Sequence, residues 1–506
     1  MQYLEVLNIP IIKYNFDERY KVTKTSLYLR AFFHNEYMSK NESGVCRSLW
    51  DRIRNFDYEY FLDFGYISTE PHRQLLLGYL WYIILGVGCL SLPFCTTSHV
   101  NLIDNLFTSA SAVSTTGLAT VDVSSAYSFW GQLIVLLLIQ LGGIGYMTMS
   151  SYVMFLLTKH FTEIKKGVLD AEFATPGGLQ MHSLVKSIIY FTFFFEAAGA
   201  VALYYFFAKQ GINQPIWAAI FHSVSAFCTA GFSTFPDNLV QFSTNWGVNI
   251  VIIILSYAGA MGFIVMTDIW KKITVRGYRV TFTTKNICLV TVLLTIWGTV
   301  HLFCIEPSLR IYNAPDRFLI SLFQTVSALT TVGYNTVNLG LFIQLTLLTM
   351  TVIMYFGASP SGTGGGLKST TITATIAFVK CKLGQKRDVY ISGHRLPTFR
   401  VDNALTTFVL YTTVLFFGSY ILTAVEPGDE YVKYLFESAS ALGTVGLSTG
   451  ITPTLTSAGK LVLIILMYIG RVGVLTIGFS MVKRMEKKTV STIKEIKVLK
   501  DDDLAV

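Results

Sequence analysis

The chain has 506 residues, 52% of them hydrophobic, 14% charged and 14% aromatic, with a formal net charge of +8. Soluble globular chains carry about 25% charged residues, so this one lacks the charge to keep a large surface in water. A disordered chain, a disulfide scaffold and an ordinary cytosolic enzyme are excluded. Seven cysteines are an odd count, and Cys89, Cys228, Cys288 and Cys304 lie in apolar runs, which gives no disulfide framework. The composition is that of a polytopic membrane protein.

In chain order, residues 1–72 mix basic and aromatic side chains (Phe32, Phe33, Trp50, Tyr60) and carry no cleavable signal pattern; they read as a cytoplasmic N-terminal extension. A membrane-spanning helix needs about 20 apolar residues. Eight stretches qualify: 74–94, 131–157, 184–207, 247–269, 287–305, 341–356 running on to 380, 404–424 and 459–482. A cytoplasmic tail follows over 486–506. Of the 39 Lys and Arg, 32 lie before the first span or after an even-numbered one, and five (Lys209, Arg310, Arg317, Lys433, Lys460) lie in connections within pairs. This partition predicts both termini on the cytoplasmic side of a multi-pass protein of the cell membrane. The excess positive charge then belongs to topology and membrane lipids, not to nucleic acid. Buried soluble helices would have no reason to alternate basic and non-basic loops.

One phrase recurs between the members of each pair: FTSASAVSTTGLAT (107–120), FHSVSAFCTAGFST (221–234), FQTVSALTTVGYNT (323–336) and FESASALGTVGLST (436–449). All four fit F-x-[ST]-x-S-A-x-x-T-x-G-x-x-T without gaps. The predicted organisation is therefore four parallel helix–loop–helix repeats, over 73–158, 183–275, 285–382 and 403–485. Two spans per repeat bring every copy in from the same side, so four units surround one axis. The phrase itself is too short to span. It reads as a half-helix that dips in and returns as extended chain, tolerated at membrane depth only where it lines a watery path or is buried in protein. Helix dipoles ending just before T-x-G favour a cation. Glycine lets successive carbonyls turn toward the axis, where they can replace the hydration shell of a monovalent ion. The segments so marked are Ser114, Thr115, Thr116 and Gly117; Cys228, Thr229, Ala230 and Gly231; Thr330, Thr331, Val332 and Gly333; and Gly443, Thr444, Val445 and Gly446. Small residues for helix packing would explain one or two copies, not four at fixed spacing.

Joined to paired helices, these phrases resemble the TrkH/KtrB superfamily of potassium-uptake subunits, related to the plant HKT transporters, over about residues 74–485. The likeness is closest to the KtrB type, because the extra helix pair that precedes the first repeat in TrkH is absent. It implies an all-α polytopic fold with pseudo-fourfold symmetry about a central cation pore, the sixteen residues above forming a potassium selectivity filter. In some plant members a serine in the first repeat accompanies sodium transport; here all four filter positions are glycine, which implies potassium, with a sodium-selective or sodium-coupled transporter as the alternative. Potassium is then the substrate, with no covalently bound cofactor. The family also implies a homodimer and a separate cytoplasmic nucleotide-binding regulatory subunit of the KtrA/TrkA type, through which alone a nucleotide would act.

Each second helix carries a glycine cluster: GGIG (142–145), GAMG (259–262), GASPSGTGGG (357–366) and GRVG (470–473). Pro360 and the glycine run predict a mid-membrane break in the third. The family's gating loop matches this position, with Gly357, Gly362, Gly364, Gly365 and Gly366 as its flexible residues. GTGGGLKST imitates a phosphate-binding loop, but Leu367 stands where that motif needs glycine, and no strand precedes it. Lys368 and Arg471 are the two basic residues at membrane depth, each costing about 2.5–3.5 kcal/mol on insertion scales. The resemblance makes Arg471 a positive constriction beside the gate; a blander reading caps it with helix carbonyls. Lys368 is expected to tie the broken helix to a carbonyl or acid. Glu437, aligned with Thr108, His222 and Gln324, is expected to bond structurally behind the filter, and Glu196 to be buried and partnered. Motifs of a membrane enzyme are missing: there is no H-E-x-x-H and no G-x-S-x-G in a strand–turn–helix setting.

Overall fold

The computed structural model describes residues 71–145 and 181–481, except 358, 361, 387, 392 and 427. Nearly all of the expected N-terminal extension, the end of the second predicted span, most of the basic stretch after it and the cytoplasmic tail lie outside the described residues.

The described chain is mostly helical. The first helices of the four sequence repeats run over Pro71–Leu90, Met181–Lys209, Phe282–Ile305 and Thr398–Val425, each unbroken. Their outward faces stay apolar, as with Tyr190, Phe193, Phe194 and Val201 on the second and Phe416, Phe417 and Tyr420 on the fourth. Apolar side chains left outside are what a hydrocarbon solvent requires. These four helices and Trp246–Thr274 are each long and apolar enough to cross a membrane.

Short helices follow at Leu102–Val113, Pro215–Phe227, Ala314–Thr330 and Tyr431–Leu442. Their C-terminal halves are buried despite their Ser and Thr content, which keeps those polar side chains away from lipid.

The second helices depart from the expectation that only the third one breaks. Phe129–Ile144 ends at Gly145 (φ 93°), Trp246–Thr274 is kinked at Gly262 (φ 79°), and Gln344–Tyr355 is separated from Ser369–Leu383 by the glycine segment. Ser457–Val472 and Val474–Ser480 meet at 90° across Gly473 (φ 93°). The cause is shared. The first glycine of three clusters packs on the last carbonyl of a short helix: a Cβ at Gly142, Gly259 or Gly470 would run into the oxygen of Val113, Phe227 or Leu442. The last glycine of the same clusters takes a left-handed turn that no other residue adopts cheaply.

Polar ties fix the outer ends. Glu306 and Glu426, at the ends of the third and fourth first helices, accept from the amides of Ile343 (3.3 Å) and Thr456 (2.7 Å), which begin the second helices of their own repeats. Asp104 in the first short helix pairs with Lys460 in the last repeat at 2.7 Å, with side chains only 7% and 12% exposed. Leaving one partner of such a pair alone costs about 3–5 kcal/mol, whereas replacing both is nearly neutral. Asp104→Ala is therefore expected to lower the melting temperature of the purified protein by several degrees, and Asp104→Ala/Lys460→Met to recover most of the loss; equal losses in both variants would dismiss the pair. A small antiparallel hairpin, Tyr390–Ile391 with His394–Arg395, joins the third and fourth repeats.

Candidate functional site

The site begins with backbone geometry at the end of each short helix. Thr115, Thr229, Thr331 and Thr444 all sit in left-handed space, at φ 54°, 52°, 57° and 48°. Such a conformation costs a non-glycine residue about 1–2 kcal/mol. The next amide offsets it: Thr116, Ala230, Val332 and Val445 each donate to the carbonyl of Ser111, Ser225, Ser327 and Ser440, at 2.8, 2.8, 3.1 and 2.8 Å. The following glycines, Gly117, Gly231, Gly333 and Gly446, return to positive φ at 93°, 65°, 78° and 95°. All four repeats therefore leave their short helix by the same alternating path.

These segments meet. A Cβ on Gly117 would strike the carbonyl oxygen of Ala230, one on Gly231 that of Val332, one on Gly333 that of Val445, and one on Gly446 that of Thr116. The contacts run from repeat 1 through 2, 3 and 4 and back to 1, a closed ring of main chain in which only glycine fits. The carbonyls of Thr116, Ala230, Val332 and Val445 accept no hydrogen bond from any described residue. Buried carbonyls without a protein partner call for water or a cation.

Side chains behind the ring hold it. His222 Nε2 lies 2.9 Å from Ser233 Oγ, Gln324 Nε2 donates to Thr336 Oγ1 at 3.1 Å, and buried Glu437 accepts from Ser448 Oγ, Thr449 N, Thr449 Oγ1 and Thr452 Oγ1 at 2.8–3.0 Å. One aligned position thus braces the returning limb of three repeats. Hydrogen bonds to a charged group contribute about 1.5–3 kcal/mol each. Glu437→Leu is expected to cost enough of this bracing that folded yield drops severalfold in size-exclusion profiles, while Glu437→Gln, keeping an acceptor, loses less; equal yields would show that the carboxylate holds nothing.

Sequence reasoning missed the role of the serine in each S-A pair, although its fourfold recurrence was the available signal. It also missed Thr363. The segment 357–366 lies against the ring, and Thr363 is where it touches: its hydroxyl is 3.0 Å from Thr229 Oγ1 and 3.3 Å from Phe227 O, and its carbonyl is 3.5 Å from Thr115 Oγ1. Ser359 N and Thr363 N donate to Ala260 O and Gly259 O, both at 3.2 Å. Gly362 packs on the Ala260 carbonyl, Gly365 on Gly443 and Thr444, and Gly357 on Gly366. Lys368 Nζ donates back to Gly364 O at 2.6 Å. Arg471, in the last turn of Ser457–Val472, donates to Thr115 Oγ1 at 3.1 Å and to the carbonyls of Thr363 and Gly142. A cavity of about 240 Å³, lined among others by Tyr79, Gly364, Lys368, Tyr411 and Arg471, opens beside the segment. Cys228 turns its thiol away from these groups, 3.7 Å from Glu196 Oε1, and Gln140 Nε2 donates to Glu196 Oε2 at 3.2 Å.

Short helices that return as extended chain, glycine-broken partners and a closed ring of main chain define a helical membrane protein built on re-entrant loops. The TrkH family, described as a cation transport protein, matches residues 80–493, and the chain belongs to that family. It is 33% identical over 423 residues to the Ktr system potassium uptake protein B of Bacillus subtilis, covering 83% of this chain and 94% of that protein. Identity to the protein of the same name in Vibrio alginolyticus is 31% (82% and 91% covered), and to the potassium/sodium uptake protein NtpJ of Enterococcus hirae 33% (83% and 94%). Among solved structures, the potassium transporter TrkH of Vibrio parahaemolyticus superposes with a TM-score of 0.65 at 21% identity, covering 82% of this chain and 85% of that one, a likeness of fold.

Proposed function

We propose that this protein is a channel-like potassium-uptake subunit of the cell membrane. Four repeats with pseudo-fourfold symmetry surround one cation pore, and the four T-x-G segments form its carbonyl filter. The observation that carries the reading is the closed ring at Gly117, Gly231, Gly333 and Gly446, where the unpartnered carbonyls of Thr116, Ala230, Val332 and Val445 offer oxygen ligands to a dehydrated monovalent ion. The names of the similar proteins agree with potassium as the cargo. Residues 357–366 are the gate: Thr363 and Gly365 lie against the threonines at the end of the filter, and Arg471 adds a positive charge there. Transport is passive, since the membrane potential supplies about 2.3 kcal/mol per charge per 100 mV. No chemical step is needed, so the protein is a transporter and not an enzyme. With both termini cytoplasmic, a homodimer would rest its basic inner loops on a separate nucleotide-binding regulatory subunit.

The alternative is a sodium-selective or sodium-coupled transporter, which the potassium/sodium name of the Enterococcus relative keeps open. Uptake of a potassium tracer into proteoliposomes, with sodium graded on either side, separates the two. Uptake that follows the potassium gradient and is indifferent to sodium supports the channel; uptake that stops without sodium supports coupling; a vesicle signal equal to that of empty liposomes rejects both.

A further inference from the structure

The four repeats share one sequence phrase, yet the serine of each S-A pair is used in two different ways. In repeats 1 and 4 the hydroxyls of Ser111 and Ser440 accept from the amides of Gly117 and Gly446, both at 3.0 Å. In repeats 2 and 3 the hydroxyls of Ser225 and Ser327 donate to carbonyls one residue past the glycine, Phe232 O at 3.0 Å and Tyr334 O at 2.6 Å. Phe232 O also accepts from Tyr334 Oη at 2.8 Å, so both of its lone pairs are engaged. Backbone angles divide the same way: the filter glycine has φ 93° and 95° in repeats 1 and 4 but 65° and 78° in repeats 2 and 3. The side chains at the position after glycine divide likewise, Leu118 and Leu447 against Phe232 and Tyr334. The carbonyls of Leu118 and Leu447, in residues only 1% exposed, accept no hydrogen bond from a described residue. A buried carbonyl in that state requires water or an ion.

We propose that the cation site at the level after the filter glycines is two-sided: a monovalent cation there is held by the carbonyls of Leu118 and Leu447 and completed by water, because Ser225, Ser327 and Tyr334 keep the carbonyls of Phe232 and Tyr334 bonded to the protein. Repeats 4 and 1 are neighbours in the ring, so the ion sits off the axis toward them. Full dehydration is postponed to the level of the Thr116, Ala230, Val332 and Val445 carbonyls, where all four are unpartnered. Ser225, Ser327 and Tyr334 are thus positioning residues that set how many oxygens the first site offers. This inference rests on the transport reading above and adds a property that reading does not contain.

The test uses rubidium as the probe, on the full-length protein in lipid. Anomalous scattering from crystals grown in rubidium is expected to place the ion of this level nearer Leu118 and Leu447 than Phe232 and Tyr334. In Ser225→Ala/Tyr334→Phe, which frees the Phe232 carbonyl while keeping the aromatic packing, the density moves toward the axis. The apparent KM for rubidium uptake falls at least threefold, with flux at saturation within twofold. Mere loosening of the ring would raise KM and lower flux instead. Ser225→Thr, which retains the hydroxyl, stays within twofold of the unaltered protein. Should the double variant not fold, Tyr334→Phe alone shows a smaller shift in the same direction. Density equidistant from all four repeats in the unaltered protein, or an unchanged KM in a folded variant, overturns the two-sided site while leaving the transport reading intact. An unaltered protein that neither takes up rubidium nor holds it in the ring overturns both.

Discussion

Gly333→Ser is expected to lower discrimination of potassium over sodium by at least tenfold in tracer competition. Gly333 has φ +78°, and a side chain there would meet the Val445 carbonyl, with Gly446 Cα at 2.9 Å from the new Cβ. Both atoms are backbone of the neighbouring segment of the ring, so the added carbon cannot be accommodated by a flexible side chain. It must push the Val445 carbonyl, one of the four unpartnered carbonyls of the ring, out of place. A change of about 1.4 kcal/mol in the relative binding of two ions is tenfold in selectivity, and the left-handed strain alone is about 1–2 kcal/mol. Gly211→Ser is the matched control: φ is +69°, but nothing lies within 4 Å of its Cβ. It should leave selectivity unchanged. Equal effects at the two positions would mean that strain anywhere in the fold is felt, and the filter assignment would lose its support.

Arg471→Gln is expected to raise flux about tenfold or more at unchanged potassium-over-sodium preference. A unit charge about 6 Å from a passing cation, at an effective dielectric near 20, opposes it by about 3 kcal/mol. The same guanidinium fastens the 357–366 segment through the Thr363 carbonyl, and its bond to Thr115 joins that segment to the filter. Removing the charge should therefore lower the barrier and free the gate together. Removing residues 362–366 takes away Thr363 with its contacts to Thr229 and Phe227, and flux should rise further. Two folded variants with the flux of the unaltered protein would take the gate away from this segment.

Local chemistry explains how much of this was legible beforehand. The fourfold phrase marked the ring because T-x-G combines a residue that ends the short helix with one that tolerates positive φ, and both needs are local. The break at 357–366 was visible because consecutive glycines and Pro360 defeat a helix whatever surrounds them. The helix end at Gly145 and the breaks at Gly262 and Gly473 were not, since two glycines three residues apart are ordinary in a helix until a carbonyl from another helix presses on the first of them. Glu437 could be placed by alignment with His222 and Gln324, but its four donors lie 11 to 15 residues further along a returning limb whose path no periodicity describes.

By itself, the order of residues determined that this chain belongs in a bilayer, that its unit is repeated four times, and which positions must be glycine. Those features follow from hydrophobic length, charge placement and backbone sterics, which act over a few residues. Only the folded arrangement decided which carbonyls face a neighbouring repeat and that Ser225 and Ser111 act in opposite senses. It also decided that Thr363 and Arg471, 108 positions apart, are joined by a hydrogen bond. A hydroxyl can donate or accept, and a carbonyl can turn either way; the choice depends on what the rest of the chain brings within about 3 Å.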